Sequence, residues 1–374
     1  MMEISAASIG ESLHDIDTPA LILDLDAFER NCERLRQALA GFPVNIRPHA
    51  KSHKCPEIAR RQIAMGAVGI CCQKVSEAQA FIEAGIHDVL VSNQVVGAKK
   101  IERLCALAKR ARVSVCVDHQ DNALALHEAA VAAGIRLSVL MEIDVGAHRC
   151  GVAPGAPALA LAQAITGMAG LRFEGLQAYH GAAQHMRTHD ERQLAITEAV
   201  GLIRETRDLL LKYGIVCEKI AGAGTGSFLL EAASNLYSEL QVGSYVFMDV
   251  DYARNDQTGS DMPQFEHSLF VLTTVMSLAG KAHAVVDAGL KASSVDSGLP
   301  VIAQRPGVHY ARASDEHGVL RIDSTIAEPL RLGQKLKLIP GHCDPTVNLY
   351  DELIVLRGER VEALWPISAR GALL

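Results

Sequence analysis

Aromatic residues and long apolar runs are scarce in this sequence. Only 4% of its 374 residues are aromatic, with a single tryptophan. No run approaches the roughly 18 apolar residues that a membrane helix needs. The first five residues lack the basic start and apolar stretch of a signal peptide. We therefore expect a cytoplasmic protein that has no membrane partner.

Positive charge is not in excess either. The formal net charge is −7, whereas a protein that binds phosphate backbones usually presents a basic face. Nucleic acid is therefore not an expected partner. The nine cysteines are scattered, and Cys71 and Cys72 are neighbours in an apolar run. This distribution favours reduced thiols over a disulfide framework.

Aliphatic residues are plentiful, and between residues 45 and 250 they form short runs. Such runs are typical of parallel strands buried on both faces. Stretches rich in Ala, Leu, Glu and Arg lie between them, as at 56–65, 99–110 and 191–212, and favour helix. Eight such units predict an α/β fold built on a (β/α)₈ barrel, like the TIM barrel. The predicted strands are 44–47, 68–73, 88–92, 113–118, 137–144, 173–179, 219–222 and 240–244.

The pattern changes after residue 265. Strand-like segments there are separated by Gly, Pro and Asp turns with little helix, which predicts a mostly antiparallel β domain. These segments are 269–276, 283–287, 307–311, 335–339 and 352–356. A further strand at 17–25 precedes the barrel and suits either domain. We assign it to the β domain, giving a barrel at 27–265 and a β domain of residues 1–26 plus 266–374.

The first predicted strand runs into a dense polar group, RPHAKSHK at residues 47–54. Active sites of such barrels lie at the C-terminal ends of the strands. A lysine in the low dielectric of the barrel mouth would have a lowered pKa, which prepares it for Schiff-base formation. Lys51 is therefore a candidate catalytic residue. The alternative is a solvated basic loop.

A glycine-rich turn, GAGTGS at residues 222–227, follows the seventh predicted strand. Glycines let backbone N–H groups approach an anion, and hydroxyls add donors. Phosphate binds after strands seven and eight in many such barrels, although glycine-rich turns also arise for steric reasons. The candidate phosphate-binding residues are Gly224, Thr225, Gly226, Gly243, Ser244 and Tyr245.

Two other strand ends carry polar side chains. Arg149 follows the fifth strand and is a candidate to face a cofactor ring or a substrate carboxylate. Tyr179, His180 and His185 follow the sixth strand. Either histidine is a candidate general base, because imidazole titrates near neutrality. Position alone does not choose between them.

A last polar group, PGHCDPTVN at residues 340–348, lies in the β domain. In an extended backbone, His342 and Asp344 would point one way and Cys343 the other. One imidazole and one carboxylate form a half-site for Mn²⁺, Mg²⁺, Co²⁺ or Zn²⁺. The alternative is an Asp–Pro turn beside a histidine.

Taken in order, these motifs resemble the D-threonine aldolase and D-3-hydroxyaspartate aldolase family. The likeness extends from residue 17 to residue 371. Such enzymes are fold-type III pyridoxal-phosphate enzymes with an alanine racemase-like barrel and a C-terminal β domain. The matching segments are RPHAK at 47–51, GTGS at 224–227, DAGLK at 287–291, DEHG at 315–318 and PGHCDPT at 340–346.

The resemblance implies cleavage of a D-3-hydroxy amino acid to glycine and an aldehyde. Lys51 would carry pyridoxal 5′-phosphate, and His342 and Asp344 would hold a divalent metal, Mn²⁺ or Mg²⁺. His185 would be the general base, with the phosphate-binding residues as above and with Arg149 and Tyr179 facing the cofactor ring. It also implies a homodimer in which each β domain meets the partner's barrel. The metal site would then serve the neighbouring subunit's active site.

Three alternatives remain. D-serine dehydratase relatives look similar but have a His-x-Cys metal pair, where a thiolate suits zinc; here Asp344 occupies the second position. Racemases need no metal pair. Non-catalytic pyridoxal-phosphate carriers resemble the barrel alone. A charged substrate would need a further cation, and Arg187, Arg254 and Lys291 are the candidates.

Overall fold

The computed structural model describes residues 5–278 and 282–374. Strand β1 (Ala20–Asp24) comes first and belongs to the second of two sheets. The next eight strands form one parallel sheet, in the order β2-β9-β8-β7-β6-β5-β4-β3. They are β2 Asn45–Ile46, β3 Ile70–Cys72, β4 Asp88–Gln94, β5 Arg112–Val117, β6 Leu137–Glu142, β7 Leu171–Ala178, β8 Lys219–Gly222 and β9 Glu239–Leu240. All eight predicted barrel strands are therefore present.

The eight-stranded sheet closes on itself beside the lysine-bearing segment. The N–H of Val68 donates to the carbonyl of Ile46, and that of Cys71 donates to Pro48. A parallel bridge between His49 and Cys71 extends this seam. Because β2 is thereby joined to β3, the ring is complete, and the predicted barrel is confirmed.

Helices connect and cover the barrel strands. The N-cap side chain of Asp24 accepts from the N–H of Ala27 and starts the first helix, as short polar N-caps commonly do. The helices are α1 Leu25–Leu39, α2 Pro56–Ala64, α3 Val75–Glu83, α4 Ala98–Ala108, α5 Gln120–Ala132, α6 Ala156–Thr166, α7 His189–Lys212, α8 Phe228–Ala233, α9 Val250–Ala253 and α10 Cys343–Val347. Among the residues described above, no helix combines the length and apolar composition that crossing a bilayer requires.

The second sheet joins β1 to the C-terminal part of the chain. Strand β1 is antiparallel to β10 and parallel to β16, while the other pairs are antiparallel. The remaining strands are β10 Leu269–Ser277, β11 His283–Val286, β12 Val301–Ile302, β13 Val308–Ala313, β14 Gly318–Ile322, β15 Lys335–Ile339, β16 Glu352–Arg357 and β17 Arg360–Pro366. The predicted β domain is confirmed as a fold class. The boundaries at 26/27 and 265/266 stay a prediction.

Buried ion pairs fill the end of the barrel where β4, β8 and β9 begin. The Arg47 guanidinium donates to Glu239 at 2.8 Å and to Asp88 at 2.7 Å. Lys219 donates to the buried carboxylate of Glu174 at 2.6 Å. The active-site cavity lies at the opposite strand ends. Arg47, although it begins the RPHAK motif, therefore has a structural role.

Candidate active site

One cavity lies over the carboxyl ends of the barrel strands. Residues that follow β2, β7, β8 and β9 form its wall, and His342 and Asp344 enter from the second domain. This position is where (β/α)₈ barrels carry their active sites. Most of the predicted site residues line it: Lys51, Arg149, Tyr179, His185, Gly224, Thr225, Gly243, Ser244, His342 and Asp344.

Lys51 and Asp344 meet inside this cavity. Lys51 lies on a single 3-10 turn, Ala50–Ser52, and its Nζ is 3.3 Å from Oδ2 of Asp344. The carboxylate raises the pKa of Lys51 and outweighs burial, so the expected lowering of that pKa is not found. Burial alone would raise the pKa of Asp344, but Lys51 and His342 outweigh it and lower the pKa to about 2. Asp344 is therefore ionised, as a metal ligand must be.

The backbone around this carboxylate corrects one expectation. Residues 343–347 form helix α10 rather than an extended segment, with His342 as its extended N-cap residue and Asp344 in its first turn. His342 and Asp344 nevertheless both line the cavity, while Cys343 is fully buried. The geometry of a helix turn, and not the alternation of side chains along a strand, separates Cys343 from His342 and Asp344.

A buried carboxylate fixes the ring of His342. Its Nδ1–H donates to Oδ2 of Asp249 at 2.9 Å, and the N–H of Cys343 donates to the same oxygen. Asp249 is fully buried. This contact leaves Nε2 as the ring nitrogen available to a metal, an arrangement common among metal-binding histidines.

Asp249, His342 and Cys343 also bring three donor atoms within 4.8 Å of one another. This trio suits a metal less well than His342 with Asp344 does. The Asp249 carboxylate already accepts three hydrogen bonds, and burial raises the pKa of the Cys343 thiol. The ionised carboxylate and the oriented imidazole are the better donor set, and they fit a divalent cation.

This pair lies in the same chain as the lysine that it faces. The contact between Lys51 and Asp344 is made within one subunit. The expectation that the metal site serves the neighbouring subunit's active site is therefore wrong. The second domain folds back over its own barrel, because α10 packs against the 3-10 turn that carries Lys51.

His185 also faces the cavity and has its own carboxylate. Its Nδ1 lies 2.6 Å from Oδ2 of Asp251, and its ring stacks at a tilt on Tyr252, with centroids 5.9 Å apart. Burial would raise the pKa of Asp251, but hydrogen bonds from Arg187 and His185 hold it below its usual range. The ionised carboxylate fixes Nδ1 as the protonated nitrogen and leaves Nε2 free to accept a proton.

His180 lies elsewhere. It is buried, and a Cβ built on Gly146 would lie 2.5 Å from its Nε2. It is not part of the cavity wall. Of the two candidate bases, His185 alone has the required position.

The glycine-rich segment, residues 222–227, forms one side of the cavity and is called the phosphate loop below. A Cβ on Gly243 would lie 2.7 Å from Oγ of Ser52, so the two chain segments approach closely only with glycine there. Ser52 is fully buried, and its hydroxyl has no hydrogen-bond partner among the described residues. An unpaired buried donor beside Gly243, in the cavity that the phosphate loop also lines, fits a phosphate group.

Two predicted phosphate-binding residues differ from the rest. The N–H of Gly226 donates to Oε1 of Gln184, behind the loop. The Tyr245 side chain points away, because its hydroxyl accepts from Gln62, while its N–H donates to Oγ1 of Thr225. Their roles as cofactor-binding residues stay a prediction.

The cavity floor contains side chains that sequence reasoning did not select. Glu142 accepts from Gln94 at 2.6 Å, and burial raises its pKa. Gln177 and Gln241 bind each other reciprocally. Above them, the Arg149 guanidinium lies 5.9 Å from the ring centre of Tyr179. Glu142 and Gln177 lie within strands, and no strand-end signal marked them.

The three candidate cations for a charged substrate are occupied elsewhere. Arg187 pairs with Asp251. Arg254 donates to the carbonyl of Ser297, and Lys291 pairs with Glu316 on the surface. None of the three lines the cavity as its wall is described above.

Comparisons with known proteins agree with this geometry. The family model "Alanine racemase, N-terminal domain" matches residues 23–251, and "Putative serine dehydratase domain" matches residues 268–356. A D-threonine aldolase from Arthrobacter sp is 49% identical over 365 residues, covering 98% of this chain and 96% of that protein. The chain belongs to the D-threonine aldolase family.

Two further members of this family are similarly close. A 3-hydroxy-D-aspartate aldolase from Paracoccus denitrificans (strain Pd 1222) is 46% identical, covering 96% of this chain and 93% of that protein. The crystal structure of D-threonine aldolase from Filomicrobium marinum superposes with a TM-score of 0.97 at 50% identity, covering 99% of this chain and 100% of that one. The predicted family, the alanine racemase-like fold and the assignment as an aldolase-type enzyme are confirmed. Membership supports pyridoxal phosphate as the cofactor.

Proposed function

We propose that the protein is a pyridoxal-phosphate- and divalent-metal-dependent aldolase that cleaves D-3-hydroxy amino acids to glycine and an aldehyde. One observation carries the proposal. Lys51, the His342–Asp344 pair and His185 line the same cavity, so a cofactor, a metal and a base would all meet one substrate. The substrates named for the two relatives, D-threonine and 3-hydroxy-D-aspartate, belong to this class.

The cofactor would be held by Lys51 and by the phosphate loop with Gly243, Ser244 and Ser52. When bound, pyridoxal phosphate supplies an electron sink for the cleaved bond. Arg149 and Tyr179 both line the cavity and would contact the ring. These residues orient the substrate so that the bond to be broken lies in the cavity rather than in solvent.

The metal would be held by His342 and Asp344, with open positions for substrate. Imidazole and carboxylate ligands suit Mn²⁺ or Mg²⁺, and such a cation supplies a Lewis acid for the substrate's β-hydroxyl. Asp249 holds Nδ1 of His342 and so leaves Nε2 for the metal. Asp344, already ionised beside Lys51, needs no further loss of a proton to serve as a ligand.

His185 would remove the β-hydroxyl proton. Asp251 holds its Nδ1, so the lone pair on Nε2 accepts the proton, and the carboxylate stabilises the resulting imidazolium. Arg187 anchors Asp251 through the carboxylate and through its backbone carbonyl. The base is thereby held in one orientation although its side chain is half exposed.

A dehydratase is the second candidate, because the C-terminal segment matches a serine dehydratase model. The dehydratase pattern, however, has a His-x-Cys metal pair. Here Asp344 stands where the dehydratase pattern has a cysteine, and Cys343 is buried behind it.

We further propose a homodimer, which light scattering on the purified holoenzyme tests.

The experiment is incubation of the protein with pyridoxal phosphate and Mn²⁺ and four substrates, while glycine, aldehyde and keto acid are followed together. The substrates are D-threonine, D-threo- and D-erythro-3-hydroxyaspartate, and D-serine. Glycine with an aldehyde is the expected result and ranks the substrates. Keto acid and ammonia without glycine would establish the dehydratase instead.

Lys51→Ala should abolish the visible absorbance of the lysine-bound cofactor and the activity together.

A further inference from the structure

A buried carboxamide lies directly behind the phosphate loop. Gln184 is fully buried. Its Oε1 accepts from the N–H of Gly226 at 2.9 Å, and its Nε2 donates to Oγ of Ser227 at 2.7 Å. One side chain therefore binds two successive residues of the loop, one through each of its polar atoms.

The glycines of the loop make room for this side chain. A Cβ on Gly224 would lie 2.5 Å from Oε1 of Gln184, and a Cβ on Gly226 would lie 3.0 Å from the Gln184 carbonyl. Neither position is in the left-handed region of backbone conformation. The absence of a side chain at Gly224 and Gly226 is thus explained by Gln184 and not by backbone strain.

The same residue precedes the candidate base. Gln184 and His185 end one 3-10 turn, Ala182–His185. The carbonyl of Gln184 accepts from Nδ2 of Asn255, and Oδ1 of Asn255 accepts from Arg187, which binds Asp251. The backbone of Gln184 therefore belongs to the assembly that holds His185, while its side chain belongs to the loop.

Ser227, the loop residue that accepts from Gln184, is itself hydrogen-bonded to a residue of the core. Ser227 Oγ donates to Oε1 of Glu231 at 2.8 Å, and both residues are fully buried. Gln184, Ser227 and Glu231 thus form a chain of buried hydrogen bonds, and Gln184 Nε2 also donates to the His180 carbonyl at 3.4 Å. Buried networks of this kind specify one arrangement only when every link is made.

We propose that Gln184 is a positioning residue that couples the phosphate loop to His185. Through its carboxamide it sets the loop that receives the cofactor's phosphate, and through its backbone it sets the base. Loss of the carboxamide weakens binding of the phosphate group and misplaces His185. The inference rests on the proposed function, because it requires pyridoxal phosphate as the ligand.

The test compares two aldehydes that differ only in the phosphate. Dissociation constants of pyridoxal phosphate and of pyridoxal are measured by absorbance titration of wild-type protein and of Gln184→Met, which keeps the side-chain volume. We expect the variant to bind pyridoxal phosphate about tenfold more weakly, because two buried hydrogen bonds are lost. Pyridoxal binding should change little. At saturating cofactor, kcat should fall while KM is kept.

Asn122→Leu is the matched control. Asn122 is a buried amide on α5 that donates to the Val95 carbonyl and lies outside the cavity wall. Its replacement should lower stability without changing the ratio of the two dissociation constants. A purely structural loss would therefore be seen in both variants, whereas a change in that ratio belongs to Gln184.

Ser227→Ala provides a second test if Gln184→Met fails to fold. It removes the acceptor of Gln184 Nε2 while the loop backbone remains, so a smaller change in the same ratio is expected. An unchanged ratio in the folded variants, or a wild-type kcat in them, overturns the coupling alone. Wild-type protein that binds neither aldehyde overturns the proposed function and the inference with it.

Discussion

Two carboxylates behind the cavity wall determine how its two functional imidazoles are used. Asp251 accepts a hydrogen bond from Nδ1 of His185, and Asp249 accepts one from Nδ1 of His342. Nε2 remains available in each ring, which suits the proposed roles of base for His185 and metal ligand for His342. The proposed roles differ because His342 has a second carboxylate, Asp344, two residues along the chain that also lines the cavity.

The first prediction concerns the base. His185→Asn should lower kcat about 10²–10⁴-fold, since the group that accepts the hydroxyl proton is lost. His180→Asn, the matched control on the same segment, should lose far less because His180 lies outside the cavity. The measurement is kcat of both variants by steady-state kinetics on cofactor-saturated protein. Equal losses in the two variants would contradict the assignment.

The second prediction concerns the metal. Asp249→Asn removes the carboxylate that orients His342 and should weaken metal binding about 10–100-fold, with the cofactor's absorbance unchanged. The measurement is titration of chelator-treated holoenzyme with Mn²⁺, followed by activity. Asp256→Asn, an exposed carboxylate outside the cavity, is the control. An unaltered metal affinity would show that His342 does not depend on Asp249.

At the scale of elements, the apolar runs were sufficient to predict the barrel but not the turns that build the site. Strands β4 and β6 were predicted because strands buried on both faces are rich in Val, Ile and Leu. Helix α10 was missed because five residues with a proline among them are equally typical of a turn. Its first N–H is satisfied by Asp249, 94 residues earlier in the chain, and such a long-range cap leaves no local signal.

The same reason explains which site residues were found. Lys51 and His342 stand out because each lies in a polar group that directly follows an apolar run. Position did not separate His185 from His180, and the family resemblance selected His185. Asp249, Asp251 and Gln184 act through partners that become neighbours only after folding. Strands β12, β14 and β17 were also missed. β12 has only two residues, whereas β14 and β17 are the second strands of hairpins with β13 and β16 and contain few consecutive apolar residues.

The third prediction concerns the long helix that follows the base. Thr188 and Glu191 form a capping box at the start of α7, with the Thr188 hydroxyl accepting from the Glu191 N–H. Thr188→Ala should lower the free energy of unfolding by about 1 kcal/mol, because a helix N–H loses its acceptor. Thr188→Ser retains the hydroxyl and should match the wild type. Urea denaturation compares them, and equal losses would exclude the cap as the cause.

For the whole molecule, the buried charges at the far end of the barrel matter for stability and not for chemistry. The fourth prediction is that Glu239→Gln lowers the free energy of unfolding by about 3 kcal/mol, because Arg47 keeps its charge in the interior with one partner fewer. Glu218→Gln, whose partner Arg172 is half exposed, should cost less than about 1 kcal/mol. Urea denaturation of both variants tests the contrast, and cofactor affinity should not change in either.

The fifth prediction concerns pH. Burial raises the pKa of Glu231 to about 7, so the folded state keeps a proton that the unfolded state releases at lower pH. The protonated Glu231 contributes its whole stabilising free energy at pH values below its pKa in the unfolded state. This contribution is lost as the pH rises through its pKa in the folded state. Relative to the wild type, Glu231→Gln should therefore gain up to ~3 kcal/mol between pH 5 and pH 8. Unfolding free energies of the two proteins at both pH values test this, and a constant difference would contradict it.

Strand β1 lies between β10 and β16, and this placement sets an order of events on the ribosome. The first strand leaves the exit tunnel early but finds both neighbours only after nearly all of the chain has been made. By then Lys51 and the phosphate loop have long been outside, whereas His342 and Asp344 emerge only just before β16. Translation therefore delivers the proposed cofactor-binding lysine first, and the segment that completes the second sheet also carries the proposed metal ligands.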